Sequence, residues 1–447
     1  MTDLSHLTEA LLHAARKAGA DAADALAVDG TSVSVDVLRG KLEHAERSEG
    51  IEIGLRILIG KRQACVSASD ISTATLEMMA ERAVAMAREA PEDPNIGLAD
   101  PDMLVRDWDV ARLDLVDDSP ALSPADLQDM AARAEAAALA VSGVSQVSAA
   151  GAGYGDRRVH LAATNGFAGG YRRTGTSLSC VAITGEGAKM ERDYYGDSRI
   201  HRADLDSPED VGRIAGERTV ARTGSTKPPT GAFPVIYDER VAGQLIGHLL
   251  SAVNGASVAR GATFLRDALG QQILPAHLSL TEDPTLPRMS GSRPFDGEGL
   301  PVTARDIIAH GMLTGWTLDL ATGRKLGMAS TGNAARGTSN PPAPSVTNVL
   351  LTPGDATRED LLGQMGTGLL ITSMIGSSIN ATTGDYSRGA SGFWVENGRI
   401  VRPVNECTVA GNLRDMLMTL IPANDARRHV GRQVPSLLVE GLTIAGG

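Results

Sequence analysis

The run from Phe233 to Gly255 constrains the fold more than any other part of the chain. Phe233-Pro234-Val235-Ile236-Tyr237 reads as a short strand, and Asp238 follows it directly as a helix cap. Val241, Leu245, Leu249 and Ala252 then recur at helical spacing as an apolar stripe, and Gly255 is placed to end the helix in a left-handed turn. His248, seven residues after Val241, lies on or beside that stripe. Taken alone, it reads as a hydrogen-bonded core histidine.

Around this strand and helix the chain divides in two. At 447 residues it is long for one core. Gly224-Ser225-Thr226-Lys227-Pro228-Pro229-Thr230-Gly231 is the clearest boundary, small, polar and doubly interrupted by proline. We expect an N-terminal domain over 1–225 and a C-terminal domain over 232–447. In the first, Leu4 to Ala20 forms an amphipathic helix ending at Gly19. A meander follows through Ser32–Val37, Lys41–Glu46, Ile51–Ile59 and Arg62–Ser67, with turns at Arg39-Gly40 and Gly60-Lys61. A second helix opens at Ser69-Asp70 and stops before Pro91. After an acidic, proline-rich connection over about 91–120 the order repeats. A helix capped at Ser123 precedes strands around Val144–Ala150, Arg158–Thr164 and Tyr171–Ile183, and Asn165-Gly166 is a hairpin signal. Helix then strands, twice, suggests two α+β halves sharing one antiparallel sheet, before a further helix at Ser207 to about Thr223.

The second half is rich in turns, and the fifty glycines and 3% aromatic residues of the whole chain are a β-rich signature. The overall expectation is α+β: helices on an antiparallel sheet, then a β-rich, barrel-like or sandwich domain that contains the helix at 238–255. Asp306 to Thr314 reads as a hairpin turning at His310-Gly311, and Phe393 to Val401 as one turning at Asn397-Gly398. Three polar glycine-bearing segments stand out: Phe295-Asp296-Gly297-Glu298-Gly299, Ser330 to Pro344, and Thr383 to Gly392.

Several chemistries are excluded or weakened. A net charge of −12 with few aromatic residues opposes nucleic-acid binding. No run approaches the roughly 20 uncharged apolar residues that span a bilayer, and the start, Met1-Thr2-Asp3-Leu4-Ser5-His6, lacks a secretory pattern, so a cytoplasmic protein without membrane partners is expected. Cys65, Cys180 and Cys407 lie far apart in apolar stretches, and no CxxC site exists. One turn before His248 stand Gly243 and Gln244, which can neither bind zinc nor act as a base, and His277, His310 and His429 sit singly. No Gly-x-Ser-x-Gly elbow, Walker loop or dinucleotide fingerprint is present. Asp296 and Glu298 could hold a cation or only shape a turn, and Asp385 with Arg388 could hold a peptide terminus or only pair with each other.

Glu43-His44-Ala45-Glu46-Arg47-Ser48-Glu49-Gly50, Pro294 to Gly299, Ser330 to Asn348, Gly384 to Gly398 and Ala410-Gly411-Asn412-Leu413 together resemble the PmbA/TldE branch of the TldD/PmbA (modulator of DNA gyrase) peptidase-related family. The resemblance covers essentially the whole chain. It implies a two-subunit cytoplasmic zinc peptidase acting on unfolded or flexible peptides, of the antitoxin or modified-peptide maturation type. In it the TldD-type subunit carries a His-Glu-x-x-x-His helix and a cysteine near its C-terminus. Here the matching positions are Gly243, Gln244 and His248, and no cysteine falls between Asn424 and Val434. The resemblance therefore implies a chain without metal or cofactor of its own and no catalytic residue, paired with a zinc-bearing partner. It makes Asp296, Glu298, Asn333, Arg336, Asn348, Asp385, Tyr386, Ser387 and Arg388 candidates for peptide contact. Self-association is left open, and a peptide-binding modulator without proteolysis, or a hydrolase using other ligands beside His248, are the alternatives.

Overall fold

In the computed structural model, which describes residues 3–446, the N-terminal half forms one six-stranded antiparallel sheet. Its strands are β1 (Ala22–Leu38), β2 (Lys41–Ile59), β3 (Arg62–Ala68), β4 (Val144–Ala163), β5 (Ala168–Thr184) and β6 (Glu191–Arg199), in the order β3-β2-β1-β4-β5-β6. Helices α1 (Leu4–Ala18) and α2 (Thr73–Glu89) precede and follow the first three strands. The connection to the second half carries one helical turn, α3 (Val110–Leu113), after which come α4 (Pro124–Leu139) and, beyond β6, α5 (Pro208–Val220). The expected sharing of one sheet by two α+β halves is what forms. Gly19 ends α1 at φ 93°, and Ser123 with Asp126 closes a reciprocal cap on α4.

Side-chain alternation fixes which face each helix pair covers. Ala23, Ala25 and Ala27 of β1 pack with α1 and α2, while Val33, Val35 and Val37 pack with α4 and α5. All six positions are odd, so both helix pairs lie on one face of the long strands. The even positions Asp24, Leu26 and Val28 look to the other face, toward the C-terminal half.

Two strands are longer than expected. β2 runs unbroken through Arg47 to Gly50, because these residues pair residue for residue with β1 from Val33 to Gly30. β4 likewise runs through Gly151, Gly153 and Gly155, which pair with Asp36, Ser34 and Ser32. Backbone ladders supply the order that low strand propensity withholds.

The C-terminal half begins with β7 (Gly231–Tyr237), which leads into α6 (Glu239–Ala252) and α7 (Gly255–Ala259). Asp238 caps α6 as expected, its side chain accepting from the Arg240 N–H. Gly255 does not end that helix. It opens α7, and a Cβ there would lie 2.8 Å from the Thr317 carbonyl oxygen, so close backbone approach is what requires glycine. The short strands β8 (Leu280–Glu282), β9 (Arg305–Ala309) and β10 (Met312–Leu313) come next, then α8 (Leu320–Leu326). The glycine-rich stretch beyond holds only the two-residue pair β11 (Ala334–Ala335) and β12 (Ala343–Pro344), followed by β13 (Val349–Leu351) and α9 (Arg358–Met365). Both expected tight turns form, with His310 and Gly311 at φ 49° and 78° and Asn397 and Gly398 at 52° and 72°.

The remaining strands build a closed barrel. β14 (Gly368–Ile379), β15 (Asp385–Glu396) and β16 (Arg399–Asn412) are consecutive and antiparallel. After α10 (Leu413–Met418) and the short β17 (Ile421–Pro422) and β18 (Arg432–Gln433), β19 (Leu437–Ala445) pairs with both β7 and β16. The ring β16-β15-β14-β7-β19 thereby closes on itself. Of the polar glycine-bearing segment Thr383 to Gly392, residues Asp385 to Gly392 form the first part of strand β15. Val235 and Tyr237 share one apolar cluster with Val241, Leu245 and Leu249 of α6, while Ile236 faces α9 on the other side. Each fully buried leucine of that stripe contributes about 1.5–3 kcal/mol.

Candidate functional site

Helix α6 and strand β15 meet at matching intervals. Gln244 and His248, four residues apart, share a helix face, and Tyr386 and Arg388, two apart, share a strand face. The His248 and Tyr386 rings stand edge to face, centroids 5.9 Å apart. Arg388 donates through Nη1 to Gln244 Oε1 at 2.7 Å and through Nε to the Gly376 carbonyl at 2.8 Å. Beneath them the Tyr237 hydroxyl donates to the Tyr386 hydroxyl at 3.4 Å, and burial raises the pKa of both phenols.

A second arginine lies along the adjoining face of the helix. A Cβ at Gly247 would be 2.7 Å from Arg432 Nη1, and one at Gly243 would be 3.7 Å from Arg432 Cβ, so the two glycines make the channel in which this side chain rests. The segment before it is also tied to α6, through Arg427 Nε to Glu239 Oε2 at 2.6 Å. The 424–434 segment, where the resemblance places a metal ligand, therefore does reach the helix, and it brings guanidinium groups.

This arrangement does not fit zinc. His248 has its pKa lowered, first by burial and then by the positive charges of Arg388 and Arg432, and its Nε2 is buried without a partner. A neutral imidazole can ligate, but two guanidinium groups beside it repel a dication. No carboxylate or thiolate joins it: among the described residues no three or more His, Cys, Asp or Glu side chains come together as a metal cage.

The other sequence-selected residues separate into two groups. Asp385 does not pair with Arg388. Its oxygens accept from the Thr383 hydroxyl at 2.6 Å and from Asn412 Nδ2 at 3.2 Å at the exposed start of β15. Ser387, between Tyr386 and Arg388, points to the opposite strand face. Asp296, Glu298, Asn333, Arg336 and Asn348 gather at and near the contact between the two halves and are mostly buried. Asp296 accepts from the N–H groups of Glu298, Leu300 and Ala334, and Glu298 from that of Leu320. Asn333 donates to Glu282 and Asn348 to Ser292. Arg336 pairs with Asp24, which also holds Arg56. Burial, with the neighbouring Asp296 charge second, pushes the Glu298 carboxyl up to about 8.

Sequence reasoning missed Arg432, Tyr237, Asp24, Arg56, Arg173 and Arg293. The four-residue spacing of Gly243 and Gly247 signals a groove, but nothing local names its occupant.

Sequence profiles of the PmbA/TldA metallopeptidases match three successive segments: domain 1 over residues 23–87, the central domain over 117–223 and the C-terminal domain over 230–446. The metalloprotease PmbA of Escherichia coli O157:H7 is 37% identical over 428 residues, covering 95% of this chain and 92% of that protein. A PmbA homolog of Haemophilus influenzae is 36% identical over 445 residues, covering 97% and 94%. Among solved structures, a chain of Bacteroides thetaiotaomicron described as a candidate modulator of DNA gyrase superposes with a TM-score of 0.90 at 27% identity, over 100% of both chains. TldE of Thermococcus kodakarensis shares the fold, with a TM-score of 0.85 at 20% identity over 98% of this chain and 100% of that one.

Proposed function

The chain belongs to the PmbA/TldD family of metallopeptidases, and from that premise we propose that it is the zinc-free subunit of a two-subunit cytoplasmic peptidase. A TldD-type partner would carry the metal and cleave flexible or unfolded peptides, and this chain would complete the enclosure around them. One observation carries the reading. The helix position that would hold a base and a ligand presents Gln244 and Gly243 instead, with Arg388 bonded to the first and Arg432 lying over the second. No side chain at that place can take a proton from water while a metal holds it. That no described helix is long and apolar enough to cross a membrane accords with this setting.

In this role Gln244 and Arg388, joined at the surface beside His248, offer polar groups to a peptide rather than chemistry on it. The test is paired. Zinc content and hydrolysis of an unfolded casein fragment are measured for this chain alone and after mixing with a TldD-type subunit from the same source. Zinc and cleavage confined to the mixture support the proposal. Cleavage by the isolated, metal-loaded chain refutes it, as does cleavage by the partner alone at the full rate of the mixture.

A further inference from the structure

We propose that the cavity between the N-terminal sheet and the C-terminal loops binds a small carboxylate carried on an apolar body. The cavity encloses about 180 Å³ against the sheet face that the helices leave uncovered. Cross-strand pairs set its polarity. Leu26 opposite Leu161 and Val159 opposite Tyr171 give an apolar end, and Arg157 opposite Arg173 a cationic one. Phe295, Arg293 and Arg336 close it from the C-terminal side.

The donors there exceed the acceptors. Arg293 is deeply buried and gives its Nη groups to the Ala334 and Gly332 carbonyls, yet its Nε has no partner. Arg336, its side chain 2% exposed, pairs through Nη1 with Asp24, and its Nη2 has none. Arg173 spends both Nη groups on the Ser290 and Ser292 carbonyls and leaves Nε free. The acid lining the cavity, Asp296, already accepts from three backbone N–H groups. Buried guanidinium N–H groups without acceptors are costly, and an oxyanion in the cavity these three arginines line would supply one. A planar carboxylate matches the guanidinium fork, and the Leu26, Val159, Leu161 and Phe295 surface gives an apolar body a place that inorganic phosphate has no use for. This holds whether or not the chain is a peptidase subunit, because every residue involved belongs to this chain.

The test titrates the full chain by calorimetry with N-acetyl-leucine, N-acetyl-leucinamide, acetyl-Ala-Ala-Leu and inorganic phosphate. The free acid is expected to bind at least about tenfold more tightly than the amide and than phosphate, consistent with loss of a charged partner in a buried site. Binding of the tripeptide acid identifies a peptide C-terminus as the source; binding of N-acetyl-leucine alone identifies a small free carboxylate. Two variants locate the site: Val159→Phe, which fills the apolar end, and Arg157→Gln at the exposed mouth, which leaves the buried ion pairs intact. Each should weaken acid binding severalfold while circular dichroism stays unchanged. Equal binding of acid and amide, no binding of any acid at millimolar concentration, or full binding by the cavity-filled variant overturns the proposal.

Discussion

Gly243→His combined with Gln244→Glu puts two zinc-peptidase residues back on α6 beside His248, and it should still yield no zinc site. The space is available, since a Cβ at position 243 meets only Arg432 Cβ at an ordinary 3.7 Å. The obstacle is charge. Arg388 already donates to position 244 at 2.7 Å, so a carboxylate there forms an ion pair instead of serving a metal-bound water. The Arg388 and Arg432 charges both act on His248, and a separation of about 6 Å from a dication there is taken as the working distance. Even in a dielectric like that of water, each repulsion is about 1.4 kcal/mol, so the pair weakens binding about a hundredfold, and a half-buried site weakens it more. Calorimetric titration with zinc chloride, with bound metal counted by mass spectrometry after desalting, reads the outcome. The double variant should retain no stoichiometric zinc. Adding Arg388→Met and Arg432→Cys should bring affinity up by at least that factor. Tight zinc binding by the double variant alone would refute the electrostatic account of this helix.

Four further outcomes follow from the geometry. Asp24→Asn leaves the buried guanidinium groups of Arg56 and Arg336 without their shared carboxylate and should cost about 3–5 kcal/mol, seen as a lower denaturant midpoint. Gly54→Ala should destabilise by about 1–3 kcal/mol, because its Cβ would sit 2.1 Å from the Thr338 carbonyl oxygen, a backbone atom that moves only with the contact between the halves. Glu298, pushed up to about 8 when folded, binds its proton more tightly in the native than in the unfolded chain. Its contribution is therefore complete below the unfolded carboxyl pKa and is lost as pH rises toward 8, so Glu298→Gln should flatten the fall in stability between pH 5 and 8 in denaturant titrations. In the mixture with a zinc-bearing partner, His248→Ala should change kcat for an unfolded substrate by less than about threefold, far short of the loss a ligand would cause.

What the sequence shows and what it hides divide along the range of the interactions involved. Asp238 caps its helix and Asn397-Gly398 turns its hairpin because both effects act within a few residues. The full lengths of β2 and β4 were hidden because glycine and charged residues discourage a strand locally, while the ladder that holds them comes from β1 next to them in space. Closure of the barrel needs β19 to find β7 and β16, a pairing that no window of sequence displays. The site divides the same way. That Gly243 and Gln244 offer neither a metal ligand nor a base is plain from the residues themselves. The arrival of Arg388, 144 residues away, at Gln244 is not.

That arrival changes how the altered helix should be understood. A site that had only lost its ligands would leave a pocket of neutral groups, open to reacquiring a metal by one or two substitutions. Here positions 243 and 244 are spanned from two directions. Arg388 comes from a barrel strand and Arg432 from the returning C-terminal segment, the latter fitted into the channel that Gly243 and Gly247 leave. A carboxylate at 244 would be held by Arg388 in an ion pair, and a histidine at 243 would lie against the stem of Arg432. Burial first, and then the two positive charges, lower the His248 pKa and favour its neutral form. The helix that most constrains the fold thus keeps its packing role through Val241, Leu245 and Leu249 and presents, on its other face, a surface suited to holding a polar chain and unsuited to a cation.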